Sequence, residues 1–472
     1  MRSMRIWAAA AVLWVAAGSA SAQCVSEVRE LNPHTFNHLT AGPMAFNGSL
    51  IALASVEERT NAIWVSIYNI AGDLLYESVK LPSTEGAKIV DIVWNEDHFG
   101  LFLRTPDENK LQLRRINTTG QFFGSPINLL PTVTFTDTNE IDIIWSSQLQ
   151  RYLIARTAVE PRRVWLTQIA RDGVMTRNED LAGTVEGSFV KIAMTPAGVL
   201  GVFFKAAPTG VLTYLRIVEG ERNFSRELGT AGEDLLVATQ GETFVLAQTI
   251  LDLDDDRRAV EWRIIDTDGF ETRKNARLLV GTGEDVDALD LVVLDDEYAI
   301  SYLDARDGFD REEGSLRLRR FNEEGEPISD TLFAAGDRTR HRAASEHLIW
   351  TGNSFVTIAV RTFEDDEDES FLIRFCPLNA VIFGPRSARR NTPVTFTVEA
   401  GGGEPGYQYR WDLPTGTVDE RTVQVMFATA GDYDVTVRVR DLSGAEVTER
   451  FTITITEDPA PPKPPKQRSV RK

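Results

Sequence analysis

The chain has 472 residues carrying 50 basic and 70 acidic side chains, a formal charge of −20. A surface this acidic repels polyanions and excludes a general nucleic-acid binder. With 42% hydrophobic residues it can bury a large core rather than stay disordered, and its length calls for more than one domain.

At the start, Arg2 and Arg5 precede an apolar run from Ile6 to Ala17, and Ala20-Ser21-Ala22 supplies a small-x-small cleavage pattern. The run is shorter than the ~20 residues that cross a bilayer, so residues 1–22 read as a signal peptide. Gln23 before Cys24 is bulkier than a lipoprotein signal accepts, which favours cleavage after Ala22 over a lipid anchor. No other apolar run is long enough to span a membrane. The expectation is an exported monomer, secreted, periplasmic or at the cell surface.

Next comes a repeat. An apolar run ends at Phe46, Trp94, Trp145, Met194, Ala238, Leu294 and Trp350, a spacing of 44 to 56 residues. Each is followed by a polar turn and a second apolar run, such as Phe99–Arg104 or Phe355–Arg361. A third run follows, then in most copies a turn such as Asn117–Gly120 or Asp266–Gly269, then a more polar fourth segment. Short strands in fours, without helical periodicity, read as the blades of a seven-bladed β-propeller over residues 23–376. Separate β-sandwich domains need about 100 residues each, twice this period.

The seventh copy stops after its third strand at Phe375, while Cys24–Leu31 at the other end has the polar character of a fourth segment. The N-terminal strand is therefore expected to complete the last blade. That pairing sets the only two cysteines, Cys24 and Cys376, at adjacent strand ends, where a disulfide would staple the ring. Closing so long a loop would stabilise the fold by something on the order of 5 kcal/mol.

From Leu378 the pattern changes to one unit of alternating strands, including Val394–Val398, Tyr407–Trp411, Arg421–Phe427, Tyr433–Arg440 and Arg450–Ile455. Tyr409-Arg410-Trp411-Asp412, and Gly431-Asp432-Tyr433-Asp434-Val435-Thr436-Val437-Arg438-Val439 followed by Asp441 and Gly444, resemble the polycystic kidney disease (PKD) domain of extracellular proteins. The resemblance implies an immunoglobulin-like β-sandwich over residues 377–457, used as a spacer or adhesive unit. Leu413-Pro414-Thr415-Gly416 departs from the Phe-Gly-Asp-Gly usual in that family. Residues 458–472 form a proline-rich basic tail that reads first as a solvated segment, with a tether to an anionic envelope polymer through Lys463, Lys466, Arg468, Arg471 and Lys472 as the alternative.

Candidate chemistry gathers in the loops between second and third strands of the fifth to seventh copies. Asp304, Asp307 and Asp310, then Glu364, Asp365, Asp366 and Asp368, give one face a strongly negative edge. Asp252, Asp254 and Asp256 have the alternate spacing of calcium donors, without the sharp-turn glycine and distal acid of a complete calcium loop. His34, His38, His341 and His347 fall in the same sector but lack a zinc-site pattern. No nucleophile elbow, phosphate-binding loop or dinucleotide fingerprint is present. The chain reads as a non-enzymatic binding or adhesion protein, with no cofactor other than calcium and a protein or polysaccharide as partner. The alternative is a propeller hydrolase or lyase acting on polysaccharide.

Overall fold

The computed structural model describes residues 27–30, 39–57, 60–82, 84, 86–106, 110–130, 141–157, 163–181, 186–221, 223–252, 257–278, 285–294, 297–305, 315–322, 327–332, 341–342, 348–352, 354–362, 368–403, 406–442 and 446–457. The described secondary structure is all β-strand. Six four-stranded sheets follow one another, each built from four consecutive antiparallel strands. The second sheet is typical, with Lys88–Trp94, Phe99–Arg104, Leu111–Ile116 and Phe122–Leu130.

In the seventh sheet, His341–Arg342 and Leu348–Trp350 both pair with Phe355–Thr362, so its first strand comes in two pieces. Its outer strand comes from the far end of the chain. Glu27–Glu30 lies antiparallel to Asp368–Phe375, with Glu27 opposite Arg374 and Glu30 opposite Phe371.

The hairpins are set locally. Asn69 Oδ1 accepts the backbone N–H groups of Ala71 and Asp73, and Asn117 Oδ1 those of Thr119 and Gln121. Asp266 Oδ1 does the same for Asp268 and Phe270. Such side chains mimic a backbone turn. Gly72, Gly120 and Gly269, at φ of 81°, 80° and 75°, supply the left-handed residue each turn needs.

Sheet joins to sheet in a repeating way. At or beside the start of each second strand stands a buried large residue: Ile51, Phe99, Tyr152, Leu200, Phe244, Tyr298 and Phe355. Two of them, Tyr152 and Phe244, fit against the residue after their counterpart in the preceding sheet, and the other five share a core cluster with that residue. Tyr152 fits over Gly100, where an added Cβ would stand 2.5 Å from its hydroxyl, and Phe244 fits over Gly201, where a Cβ would meet the ring at 2.9 Å. Phe99 shares a cluster with Ala52, Leu200 with Leu153, and Tyr298 with Val245. Phe355 lies with Ala299, and Ile51 closes the circle on Val356 of the seventh sheet. The sizes are complementary, since aromatic rings face mostly glycine or alanine while Leu200 and Ile51 face Leu153 and Val356. Close-packed interiors demand such matching.

Two residues read from sequence as ends of first strands shift by one. The partner of Phe244 is Thr239 rather than Ala238, and that of Tyr298 is Val293 rather than Leu294. In both, apolar character and strand pairing part company at the turn.

The C-terminal sandwich packs Asn379–Phe383, Pro393–Gly401 and Thr422–Met426 against a sheet of Ser387–Arg389, Glu446–Thr456, Gly431–Arg440, Gln408–Leu413 and Gly416–Val418. Trp411, Phe396, Val435, Val437 and Ile453 are completely buried between them. The Trp411 indole N–H donates to Glu420 O at 2.8 Å, so the buried ring leaves no polar atom unmatched. Leu413-Pro414-Thr415-Gly416 forms a tight hairpin on Gly416, at φ 120°. Gly403 N donates to Cys376 O at 2.6 Å, tying the sandwich to the end of the seventh sheet.

Gly100→Ala is expected to destabilise the protein by about 1–3 kcal/mol, because the methyl must displace the Tyr152 phenol. Chemical denaturation should show part of that loss recovered in Gly100→Ala/Tyr152→Phe, which removes the nearest atom.

Candidate functional site

The first strands form the inner wall of the ring. Successive first strands abut from Leu39–Phe46 through Lys88–Trp94, Ile141–Ser146, Glu186–Met194, Glu233–Gln240 and Asp285–Val293 to Leu348–Trp350, and Leu39–Phe46 also meets the seventh sheet. A first strand pairs on one side only, so its inner edge is a row of backbone groups that need partners.

Polar side chains occupy one equivalent position on four of these strands. Asp91, Asp142 and Lys191 stand three residues before Trp94, Trp145 and Met194, and Asp290 three before Val293. Asp142 Oδ2 accepts the N–H of Ile192 on the next first strand at 2.6 Å. Asp290 Oδ2 likewise accepts the N–H of Leu348 on the next sheet, while its Oδ1 takes that of Leu291 at 2.7 Å. Asp91 Oδ1 accepts the N–H of Ile92 at 2.7 Å. These carboxylates cap inner edges and, at Asp142 and Asp290, fasten one sheet to the next.

All four side chains are partly accessible, on the first strands that line the ring. Burial raises the Asp91 carboxyl well above the ordinary range, and the neighbouring Asp142 and more distant Asp290 add to the rise, opposed by the Ile92 N–H and Lys191. Burial also raises Asp142, against Lys191 and the N–H groups of Ile192 and Ile143. Chemically, the arrangement is a carboxyl of raised pKa near others tied to the backbone.

The acidic residues singled out from sequence lie elsewhere. Asp252 ends its strand opposite Arg257, Asp304 lies opposite Ser315, and Asp368 opens its strand opposite Thr362. The equal strand order of the sheets puts these three backbone positions on one edge of the fifth, sixth and seventh sheets. Asp254, Asp256, Asp307, Asp310, Glu364, Asp365 and Asp366 lie outside the described residues, as do His34, His38, His347 and Cys24. His341 pairs with Arg361 in its short strand. Among the described residues no group of three or more His, Cys, Asp or Glu side chains is placed to hold a metal ion. Cys376 is fully buried, and no described cysteine is a free thiol. Sequence reading passed over the axial carboxylates, whose only trace is a polar residue recurring at one register within an apolar run.

Asp142→Ala leaves the Ile192 N–H without its acceptor and is expected to cost about 1–3 kcal/mol in denaturant unfolding. For Asp91 the sign is opposite to that of a salt-bridged acid. A raised folded pKa means the folded state keeps a proton that the unfolded state releases above about 3.8. The Asp91 contribution is therefore complete below that pH and is lost as pH rises through the folded value. Unfolding midpoints measured across this range should fall less steeply with rising pH in Asp91→Asn than in the wild type.

No helix among the described residues is long and apolar enough to cross a membrane. No curated protein matches the chain. Among solved structures, the extracellular domain of a hybrid two-component system from B. thetaiotaomicron is similar with 10% identity and a TM-score of 0.42, covering 92% of this chain and 59% of that one. The β-propeller domain of the Trilobed protease from Pyrococcus furiosus is similar with 9% identity and a TM-score of 0.46, covering 72% of this chain and 94% of that one. Pyrococcus horikoshii acylaminoacyl peptidase gives 10% identity, a TM-score of 0.44 and coverage of 76% and 58%. The chain thus spans about three fifths of the length of the first and the last of these. Residues 379–454 match the family model of the PKD domain, so an immunoglobulin-like PKD domain follows the propeller.

Proposed function

We propose that this chain is an exported binding or adhesion protein, in which the seven sheets act as the blades of a propeller and present a loop edge to a protein or polysaccharide. The PKD domain then serves as spacer or second contact. The observation that carries this reading is the use of the inner carboxylates: Asp142 and Asp290 each spend an oxygen on a backbone N–H of the neighbouring sheet, and Asp290 spends its other on Leu291 of its own strand. A carboxylate fixed in that way holds the ring together rather than attacking a bond.

The edge built by the second-to-third-strand connections of the fifth to seventh sheets, with Asp252, Asp304 and Asp368 at its margin, is where an acidic contact surface would form. Calcium at Asp252, Asp254 and Asp256 belongs to the same proposal. So does a Cys24–Cys376 disulfide, supported by the burial of Cys376 and by the start of the closing strand at Glu27, three residues after Cys24. The second reading, a polysaccharide hydrolase or lyase, draws on one observation, the raised pKa of the Asp91 carboxyl near Asp142. A general acid needs a carboxyl of that kind.

Full-length chain mixed with a panel of insoluble polysaccharides, and used as bait on envelope extract, separates the two readings. Binding predicts retention of a specific polysaccharide or protein with no new reducing ends. Sugar release that disappears in Asp91→Asn would replace it with the enzyme. For the disulfide, thiol titration of the denatured, unreduced chain is expected to find no free thiol, and two free thiols would contradict it.

A further inference from the structure

The five-stranded sheet of the PKD domain turns a polar face to solvent. Along its central strands, Gly431–Arg440 and Glu446–Thr456, cross-strand neighbours at one end are complementary. The Thr454 hydroxyl donates to Asp432 Oδ1 at 2.7 Å, the Thr452 hydroxyl donates to Asp434 Oδ1 at 2.6 Å, and Arg450 pairs with Asp434. Partners of this kind stabilise a sheet, whereas like charges set directly opposite weaken it.

The other end of the same strands breaks that rule. Arg410, on Gln408–Leu413, lies directly opposite Arg438. Arg440 is two residues along from Arg438 and so shares its face, with Gln408 opposite it on one side and Glu446 on the other. All three arginines are exposed in the full chain. Among the described residues, Glu446 is the one carboxylate within ion-pair distance of the three, 3.2 Å from Arg438 Nε. A solvent-exposed pair of that kind contributes little. The chain carries 70 acidic side chains, yet Arg410 and Arg440 are left without one. Three guanidinium groups are thus held side by side at a cost to the sheet.

Their planar forks match the two oxygens of a carboxylate. The rest of the face narrows the class of partner, since the outward side chains of these three strands are Gln, Arg, Asp, Thr and Glu, with no large apolar residue. The exposed Val381, Phe383 and Met426 belong to the other sheet of the sandwich. A protein interface centres on aromatic and apolar anchors, and a lipid surface takes up an apolar face. A hydrated sugar polymer needs neither, and its hydroxyls suit Gln408 and Thr448 beside the arginines. We propose that Arg410, Arg438 and Arg440 form a binding face for a carboxylated polysaccharide, a polymer of uronic acid. This rests on the reading of the chain as a binding protein and gives the PKD domain its ligand class. The acidic surplus of the chain repels such a polymer elsewhere and confines it to this face.

Retention of the full-length chain on immobilised polygalacturonate in about 0.1 M salt tests the face, with the fully methyl-esterified polymer as the uncharged control. The wild type should bind the acid form and not the ester. Arg410→Gln/Arg438→Gln/Arg440→Gln should weaken binding by about tenfold or more. Its unfolding midpoint should not fall, because like charges are removed. Neutralising the tail by Lys463→Gln, Lys466→Gln, Arg468→Gln, Arg471→Gln and Lys472→Gln together should leave binding unchanged. Equal retention on the ester, undiminished binding by the triple variant, a lowered midpoint in it, or loss on neutralising the tail alone would overturn the proposal. Vesicles containing phosphatidylglycerol that bind the wild type but not the triple variant would also overturn it, in favour of a lipid surface. A wild type that ignores polygalacturonate but retains a neutral polysaccharide or an envelope protein would overturn this face and leave the binding reading standing.

Discussion

The fit of one side chain into the preceding sheet holds this molecule together. Each sheet is too small to bury its own faces, and an isolated set of a few short strands is marginal in water. Stability is therefore gained at the joints, where a buried ring or branched chain at the start of one second strand covers the residue after its counterpart in the sheet before. Burying each such side chain is worth about 1.5–3 kcal/mol. The series runs from Phe99 on Ala52 through to Ile51 on Val356, so the last joint returns to the first sheet. The strand Glu27–Glu30 then completes the sheet that makes this last joint.

That packing leaves a row of inner strand edges around the ring, and their backbone groups need partners. The chain meets this need with Asp142 and Asp290, which reach forward to N–H groups of the following sheet. The inner strands thereby carry carboxylates tied to the backbone of the following sheet. One edge of the fifth to seventh sheets carries the strand positions Asp252, Asp304 and Asp368. The opposite edge carries the hairpins, where Asn95 donates to the Tyr152 hydroxyl and couples the second sheet to the third.

Much of the architecture was legible in the sequence because its causes are local. Aromatic residues opening the second runs, and the Asn or Asp with glycine of the third-to-fourth turns, mark a repeat before any contact is known. Gly431 to Val439 marked the PKD domain in the same way. The sockets were not legible. Gly100 and Gly201 look like interruptions in apolar strands until Tyr152 and Phe244, some 50 or 40 residues later, are seen resting on them. The axial aspartates were hidden for the same reason, since a carboxylate inside an apolar run gains its meaning from the N–H of another sheet. In the sandwich, Asn379–Phe383, Ser387–Arg389 and Gly416–Val418 escaped notice because they are short, and Ser387–Arg389 pairs in parallel with the distant Glu446–Thr456.

The central claim is that complementary size at these joints fixes the ring. It is tested most directly where two equal side chains share a joint, at Leu153 and Leu200. Unfolding free energies should be measured for Leu153→Ala, Leu200→Phe and the pair. The account predicts a loss of about 2–5 kcal/mol for the first and about 1–3 kcal/mol for the second. The double variant should be more stable than Leu153→Ala, because the larger ring fills the enlarged socket. Simple addition of the two losses would contradict it.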